Sequence, residues 1–158
     1  NKSNFESCLE GKTYYNVQFL SWLNENKIYN DFLNSGNIVI GMSGGEGWGL
    51  PEFQSVSLGK HAVILNAHGY KEWANEINSV LVEPKGKISS TDDVFFKKGG
   101  RFNQGDFFDW DEDDFIDGCE EAIKRYKGNP INEEGIKLQK TFTYERMVDK
   151  ILEELKEM

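Results

Sequence analysis

The residues best suited to chemistry lie together in the segment Gly41-Met-Ser-Gly-Gly-Glu-Gly-Trp-Gly-Leu-Pro-Glu-Phe-Gln54. Glycines at 41, 44, 45, 47 and 49 fall between an apolar run ending at Met42 and Pro51, a proline suited to the first turn of a helix. A glycine-rich turn entering a helix is an anion cradle. Backbone N–H groups converge there, the helix dipole adds positive potential, and the missing Cβ atoms let a ligand approach the backbone. The segment is not a Walker A loop, because no Gly-Lys-Ser/Thr follows. It is not G-x-G-x-x-G either, because Leu50 stands where the third glycine belongs. On glycine content alone, an ordinary tight strand–helix connection fits equally well.

Other reactive side chains are sparse. Cys8 and Cys119 are too few for a disulfide framework and lack CxxC spacing, so they are expected to be inert in a reduced, cytoplasmic setting. Asp92-Asp93 and Asp109-Trp-Asp111 offer carboxylates from a loop and a helix cap, and no metal site is expected there. His61, His68, Glu46 and Glu72 could supply an acid–base pair only if the fold brings them together. Trp48, Trp73 and Trp110 read as packing residues.

Four short apolar runs read as the strands that position these groups: Val17–Leu20, Asn37–Met42, Ala62–Leu65 and Val80–Val82. Three are nearly continuous Val, Ile and Leu, the pattern of strands buried on both faces of a parallel sheet. Helical spacing appears over Lys27–Ser35, Pro51–Leu58, Tyr70–Ile77 and Tyr144–Met158. Asp111 reads as the N-cap of a helix running through Tyr126. The fold class is therefore α/β: a Rossmann-like parallel sheet flanked by helices, in a single domain spanning residues 1–158. Residues 85–110 read as an irregular loop insertion, with four glycines, scattered aromatics and no period.

The chain has 158 residues, with 18 Lys plus Arg against 27 Asp plus Glu, for a net charge of −9. That balance argues against nucleic acid as a partner held by overall charge. No apolar run reaches the roughly 18–20 residues of a membrane span, and no basic-then-apolar start reads as a signal peptide. The chain begins with Asn1 rather than Met, which suggests a piece of something larger.

Glu46-Gly-Trp-Gly-Leu-Pro51 followed by Gln54 and His-Ala-Val-Ile64 resembles the donor-site signature of retaining GT-B glycosyltransferases, most nearly the large family-4 group. Its pattern is Glu-Gly-Phe-Gly-Leu-Pro, two residues, Glu-Ala, then Gly-x-Pro-Val-Val. Gly69-Tyr-Lys-Glu72 is similar to that family's Gly-x-x-Glu. Ser79-Val-Leu-Val-Glu-Pro84 is similar to its Gly-x-Leu-Val-x-Pro, and Phe142-Thr-Tyr-Glu145 to its Phe-Ser-Trp-Glu. The resemblance runs over about residues 17–155, in the family's order.

The resemblance implies a nucleotide-sugar donor, UDP-, GDP- or ADP-linked, transferred with retention and without a metal cofactor. It casts Glu46 as the catalytic-site acid that grips the sugar hydroxyls. The backbone of Gly47, Trp48, Gly49 and Leu50 would face sugar and diphosphate, with Ser43 and Gly45 completing the turn. His68, Gly69 and Glu72 would lie by the donor, and Gln54 would meet the ribose. The family has glutamate at that last position. Glutamine keeps an acceptor oxygen and adds a donor, but a neutral hydrogen bond contributes about 0.5–1.5 kcal/mol against about 1.5–3 for a charged one. Ribose recognition is therefore expected to be weaker or altered.

The resemblance also implies a partner that the sequence lacks: the acceptor-binding half of a two-half enzyme, and the opening strands of the donor half with their cationic pair. This chain would be the C-terminal half of a GT-B fold without its first strands, inactive alone. The full-length protein would be cytoplasmic or peripheral to an inner membrane. In the order 3-2-1-4-5-6 the missing strands would lie between the Val17 and Asn37 strands. The two would then pair directly, or leave an edge for a homodimer to cover. Two other readings stand beside the first: a degenerate GT-B-like binding or assembly module, and a GT-B-like sugar epimerase fragment.

Overall fold

A computed structural model describes residues 16–18, 20–91, 96–99, 101 and 105–157. The elements in chain order are helix α1 (Asn26–Ser35), strand β1 (Ile38–Gly41), helix α2 (Leu50–Ser57), strand β2 (His61–Leu65), a 3-10 helix (His68–Glu72), strands β3 (Val80–Val82), β4 (Gly86–Ser89) and β5 (Asp106–Asp109), and helices α3 (Glu112–Gly128), α4 (Glu133–Ile136), α5 (Leu138–Thr141) and α6 (Tyr144–Glu157). The chain divides into two compact units, residues 1–32 and 33–158. The sheet starts only at Ile38, and the expected Val17–Leu20 strand does not form: Val17, Gln18 and Leu20 are irregular, and Phe19 is outside the described residues.

The second unit is α/β. Its main sheet has the order β1-β2-β3, all parallel, with Ile38 opposite His61 and Val63 opposite Val80. All five residues of central β2 are buried, which is why that strand shows no polar alternation. Side chains leave the sheet on alternate faces. Val63, Val80 and Val82 meet Ala122, with Ile38, Phe115 and Cys119 packed around them. Ala62 and Ile64 meet Val56, Tyr70, Trp73 and Leu138 on the other face. Each fully buried Val, Ile or Leu contributes about 1.5–3 kcal/mol. α3 lies close on the sheet because position 118 is glycine; a Cβ there would stand 3.1 Å from Val82 and 3.2 Å from Val63. Its N-cap is Asp111, as expected, accepting the Asp113 N–H at 3.0 Å.

Two expectations are corrected. The helix read over Tyr70–Ile77 is a 3-10 turn ending at Glu72, because Asn75 and Asn78 divert the backbone. Asn75 Oδ1 accepts the N–H groups of Ile77 and Asn78, and Asn78 Nδ2 donates to Trp73 O. The segment 85–110 is not simply irregular, since β4 and β5 pair antiparallel within it, Gly86 opposite Asp109. β1 pairs with β2 and has no other strand neighbour among the described residues, which leaves open the second of the two expected arrangements, an edge for another copy to cover. Ile40 on that edge is half exposed. Among the described residues no helix is long and apolar enough to cross a membrane.

Asn132 ties three segments of the unit together. Its side-chain amide donates to Lys60 O at 3.0 Å and Asn78 O at 2.7 Å, and its oxygen accepts the Gly135 N–H at 3.0 Å. Asn132→Ala strands these buried groups, each costing about 1–3 kcal/mol. The expected loss of unfolding free energy is about 2–4 kcal/mol in urea titration; a loss under about 0.5 kcal/mol, ordinary for a surface change, would contradict this role.

Candidate functional site

The glycine-rich turn leaves β1 at Gly41 and enters α2 at Leu50, at the carboxyl end of the parallel sheet. The 3-10 helix follows the same end of β2. Ligand sites of open parallel sheets form at this end. Two close backbone approaches fix the turn. A Cβ on Gly69 would lie 2.0 Å from Gly47 O and 2.8 Å from Trp48 N, so only glycine allows the two segments to touch. Gly69 N–H donates to Glu46 O at 3.3 Å. A Cβ on Gly44 would lie 2.3 Å from Phe108 O. Gly44 O accepts the Phe108 N–H at 2.9 Å and also bonds His68 Nε2. A carbonyl only accepts, so Nε2 of His68 carries the proton.

Aromatic rings support the turn from below. Trp48, Phe53 and Phe142 meet edge to face at 5.2–5.7 Å, and Trp73 Nε1–H donates to Trp48 O at 2.8 Å. Trp48 and Trp73 are therefore packing residues, as expected, and Trp48, half-buried, also lines a cavity with Phe142, Tyr144 and Met147. From the side, β5 places the Phe107 ring against Gly45 and the Phe108 ring 4.5 Å from that of His68. Lys87 Nζ lies 4.8 Å over Phe108, so a cation stands on the hairpin next to the turn. Sequence reasoning missed these hairpin residues. The signal was Asp106-Phe-Phe-Asp109, two adjacent aromatics that point to opposite faces of a strand.

The open part of the turn is its tip. Nothing lies within 4 Å of where a Gly47 Cβ would be, and Ser43, Gly45, Gly47 and Leu50 are exposed. Glu46 is half-buried, and its Oε1 accepts the Gly47 N–H at 3.1 Å. Gly49 takes the left-handed φ of 73° that begins α2, with the Tyr70 ring beneath it. Gln54 is exposed one turn along α2 from Leu50. The turn thus gathers Ser43, Gly45, Glu46, Gly47, Trp48, Gly49 and Leu50, with Gly69 and His68 as its braces. Glu72 is exposed and lines a groove with Trp73, Asn78, Glu134 and Phe142 instead. His61 is at the far end of β2, where its Nε2 meets Asn129 O at 2.8 Å in a cleft of about 430 Å³. Arg125 in that cleft is held by Ser79 O, Glu76 O and Glu121. No acid–base pair forms from His61 and Glu72 with the turn, and no cluster of metal-ligating side chains occurs among the described residues.

One acid was not foreseen. Glu52, in the first turn of α2, lies under the glycine turn. Its Oε2 is buried without a partner, and the Tyr70 hydroxyl is buried too. Gly41 and Gly49 make room for both: a Cβ on Gly41 would touch Glu52 Cγ at 2.8 Å and the Tyr70 hydroxyl at 3.1 Å. Burial raises the Glu52 pKa above its ordinary 4.5. The Glu46 charge raises it further, and its own backbone N–H partly offsets both. Burial, then Glu52 and Glu46, push the Tyr70 hydroxyl up as well.

No protein-family model matches the chain, and no curated protein matches it significantly.

Two outcomes follow from this geometry. Gly69→Ala is expected to cost about 1–3 kcal/mol through backbone overlap, whereas Gly47→Ala stays within about 0.5 kcal/mol, both read in urea unfolding; equal effects would contradict the turn's packing. Because the folded-state pKa of Glu52 lies above that of the unfolded chain, its contribution to stability is full below the unfolded value and is lost as pH rises through the folded one. Glu52→Gln should therefore raise the melting temperature at pH 7 and not at pH 4. An equal shift at both pH values would refute the burial of this acid.

Proposed function

We propose that the turn from Gly41 to Gly49 and the start of α2 bind the sugar-diphosphate part of a nucleotide sugar, and that the chain is the donor-binding portion of a retaining glycosyltransferase. The observation that carries this reading is the open side of Gly47 at the carboxyl end of a parallel sheet. There the N–H groups of a helix start and the Glu46 carboxylate share one tip. Glu46 accepts hydrogen bonds from sugar hydroxyls, and the backbone of Trp48, Gly49 and Leu50 faces the diphosphate. Gln54, exposed on the next turn, is the ribose contact. Charge developing on the leaving diphosphate is stabilised by fixed backbone dipoles. An acceptor-binding half completes the enzyme in this reading, and the order of motifs over residues 17–155 is its sequence support.

A second reading, a binding or assembly module on the same fold, draws on Gln54 and on the acidity of the tip, where Glu46 already occupies the Gly47 N–H. For a GT-B-like epimerase, His61 and Glu72 line other grooves, and of its four candidate groups only His68 and Glu46 share the turn, with the His68 Nε2 already held by Gly44 O.

A ligand bound only by the folded state raises apparent stability with its concentration. In a thermal-shift screen of UDP-, GDP- and ADP-sugars, at least one is expected to raise the wild-type melting temperature. Gly47→Ala, which folds but places a methyl in the ligand's path, should lose that rise. No rise with any donor overturns the proposal, and binding without sugar transfer by the gene's whole product favours the module.

A further inference from the structure

The helix start is already occupied by the protein's own acid. In an anion cradle the first turn of the helix supplies N–H donors and positive potential, and ordinarily nothing fills it but ligand and water. Here Glu52 turns back beneath the turn and takes its own backbone N–H, while its second oxygen is sealed between Gly41, Gly49 and Tyr70. Tyr70 is 1% exposed, so the pocket holds one carboxylate oxygen without a partner beside a buried hydroxyl on which only the Ser43 backbone acts as a hydrogen-bonding group.

The titratable groups facing Glu52 are Glu46 from the turn and Tyr70 from the 3-10 helix. β1 and β2 contribute Gly41 and Ile64 at that point, which carry no charge. No cation is among the influences on the Glu52 carboxyl. A diphosphate arriving at the tip brings further negative charge beside a buried carboxylate that already faces Glu46. Within a few ångströms, in a half-buried setting, such repulsion is large compared with a surface interaction.

We propose that Glu52 makes anion binding at this turn proton-linked: the diphosphate binds together with one proton from solvent, which forms an O–H bond on the Glu52 carboxyl and on no other group. The inference rests on the reading of the turn as a diphosphate site. Burial and Glu46 already bias Glu52 toward the neutral acid. Glu52 is a positioning and specificity residue in this scheme. It touches no reacting atom, and it sets the charge that the cradle accepts. Ionised, it favours ligands that present hydroxyls at the tip; neutral, it admits the anion.

Calorimetric titration with inorganic pyrophosphate tests this on the whole chain at pH 5 to 8. Each titration is repeated in two buffers of different ionisation enthalpy so that protons are counted. Pyrophosphate titrates in the same range, so the reading is the difference between wild type and Glu52→Gln, with folding checked by circular dichroism. Wild type is expected to take up about one more proton per pyrophosphate than E52Q near neutral pH. At pH 8 E52Q should bind about tenfold tighter, with the difference shrinking as pH falls. Glu52→Ala should behave as E52Q does. Equal proton counts and parallel affinity profiles would overturn the role of Glu52 while leaving the diphosphate site standing. No binding of pyrophosphate by any variant, together with no thermal shift from the donor screen, would overturn both.

Discussion

The backbone of Gly69 rests on the backbone of Gly47 and Trp48, closer than any side chain would permit. The rest of the site depends on that contact. It joins the segment after β1 to the segment after β2, so two strand ends of the parallel sheet share one rigid tip. His68 pays for its place in that join with a left-handed φ of 50°. For a residue other than glycine that conformation costs about 1–3 kcal/mol. Its ring holds Gly44 O, and Phe108 holds the same oxygen from the other side. The result is a turn with little freedom of its own, held by glycines where backbones meet and by aromatic rings where they do not.

Rigidity of this kind matters because the turn's donors do no work unless they are aimed before a ligand arrives. The electrostatics pull the other way. Glu46 and Glu52 both lie at the helix start, and the cation with a placed contact near the turn, Lys87, rests on the face of Phe108. A site with a positive backbone and negative side chains suits a ligand that is part anion and part polyol. The two acids then divide the ligand: Glu46 is half-buried at the tip by Gly47, where hydroxyls would lie, and Glu52 is sealed below.

Much of the sheet was legible because burial on both faces leaves an unmistakable run of Val, Ile and Leu in β2 and β3, and because Asp111 and Pro51 mark helix starts by local chemistry. The glycine turn was legible for the same reason, since close backbone approach leaves its record in composition. What could not be read depends on distant partners. Glu52 looks like a solvated first-turn acid until Gly41 and Gly49 are seen to open a space for it. The β4–β5 pair is an exposed four-residue segment beside a half-buried one, and β5 is held to the turn through the Phe108 N–H and Gly44 O. Tyr70–Ile77 has helical spacing, and the local hydrogen bonds of Asn75 and Asn78 override it. Val17–Leu20 has strand composition and no place in the sheet.

The central claim is that a diphosphate-bearing ligand meets the backbone at the tip of this turn. Amide chemical-shift mapping by NMR, with the nucleotide sugar UDP-glucose and with inorganic pyrophosphate, tests it most directly. The account expects the N–H resonances of Gly47, Trp48, Gly49 and Leu50 to move with both ligands, while those of Asn129, Asn132 and Gly135, at the other end of β2, stay in place. Unmoved turn resonances, or shifts centred on the cleft beside His61 and Arg125, would contradict it.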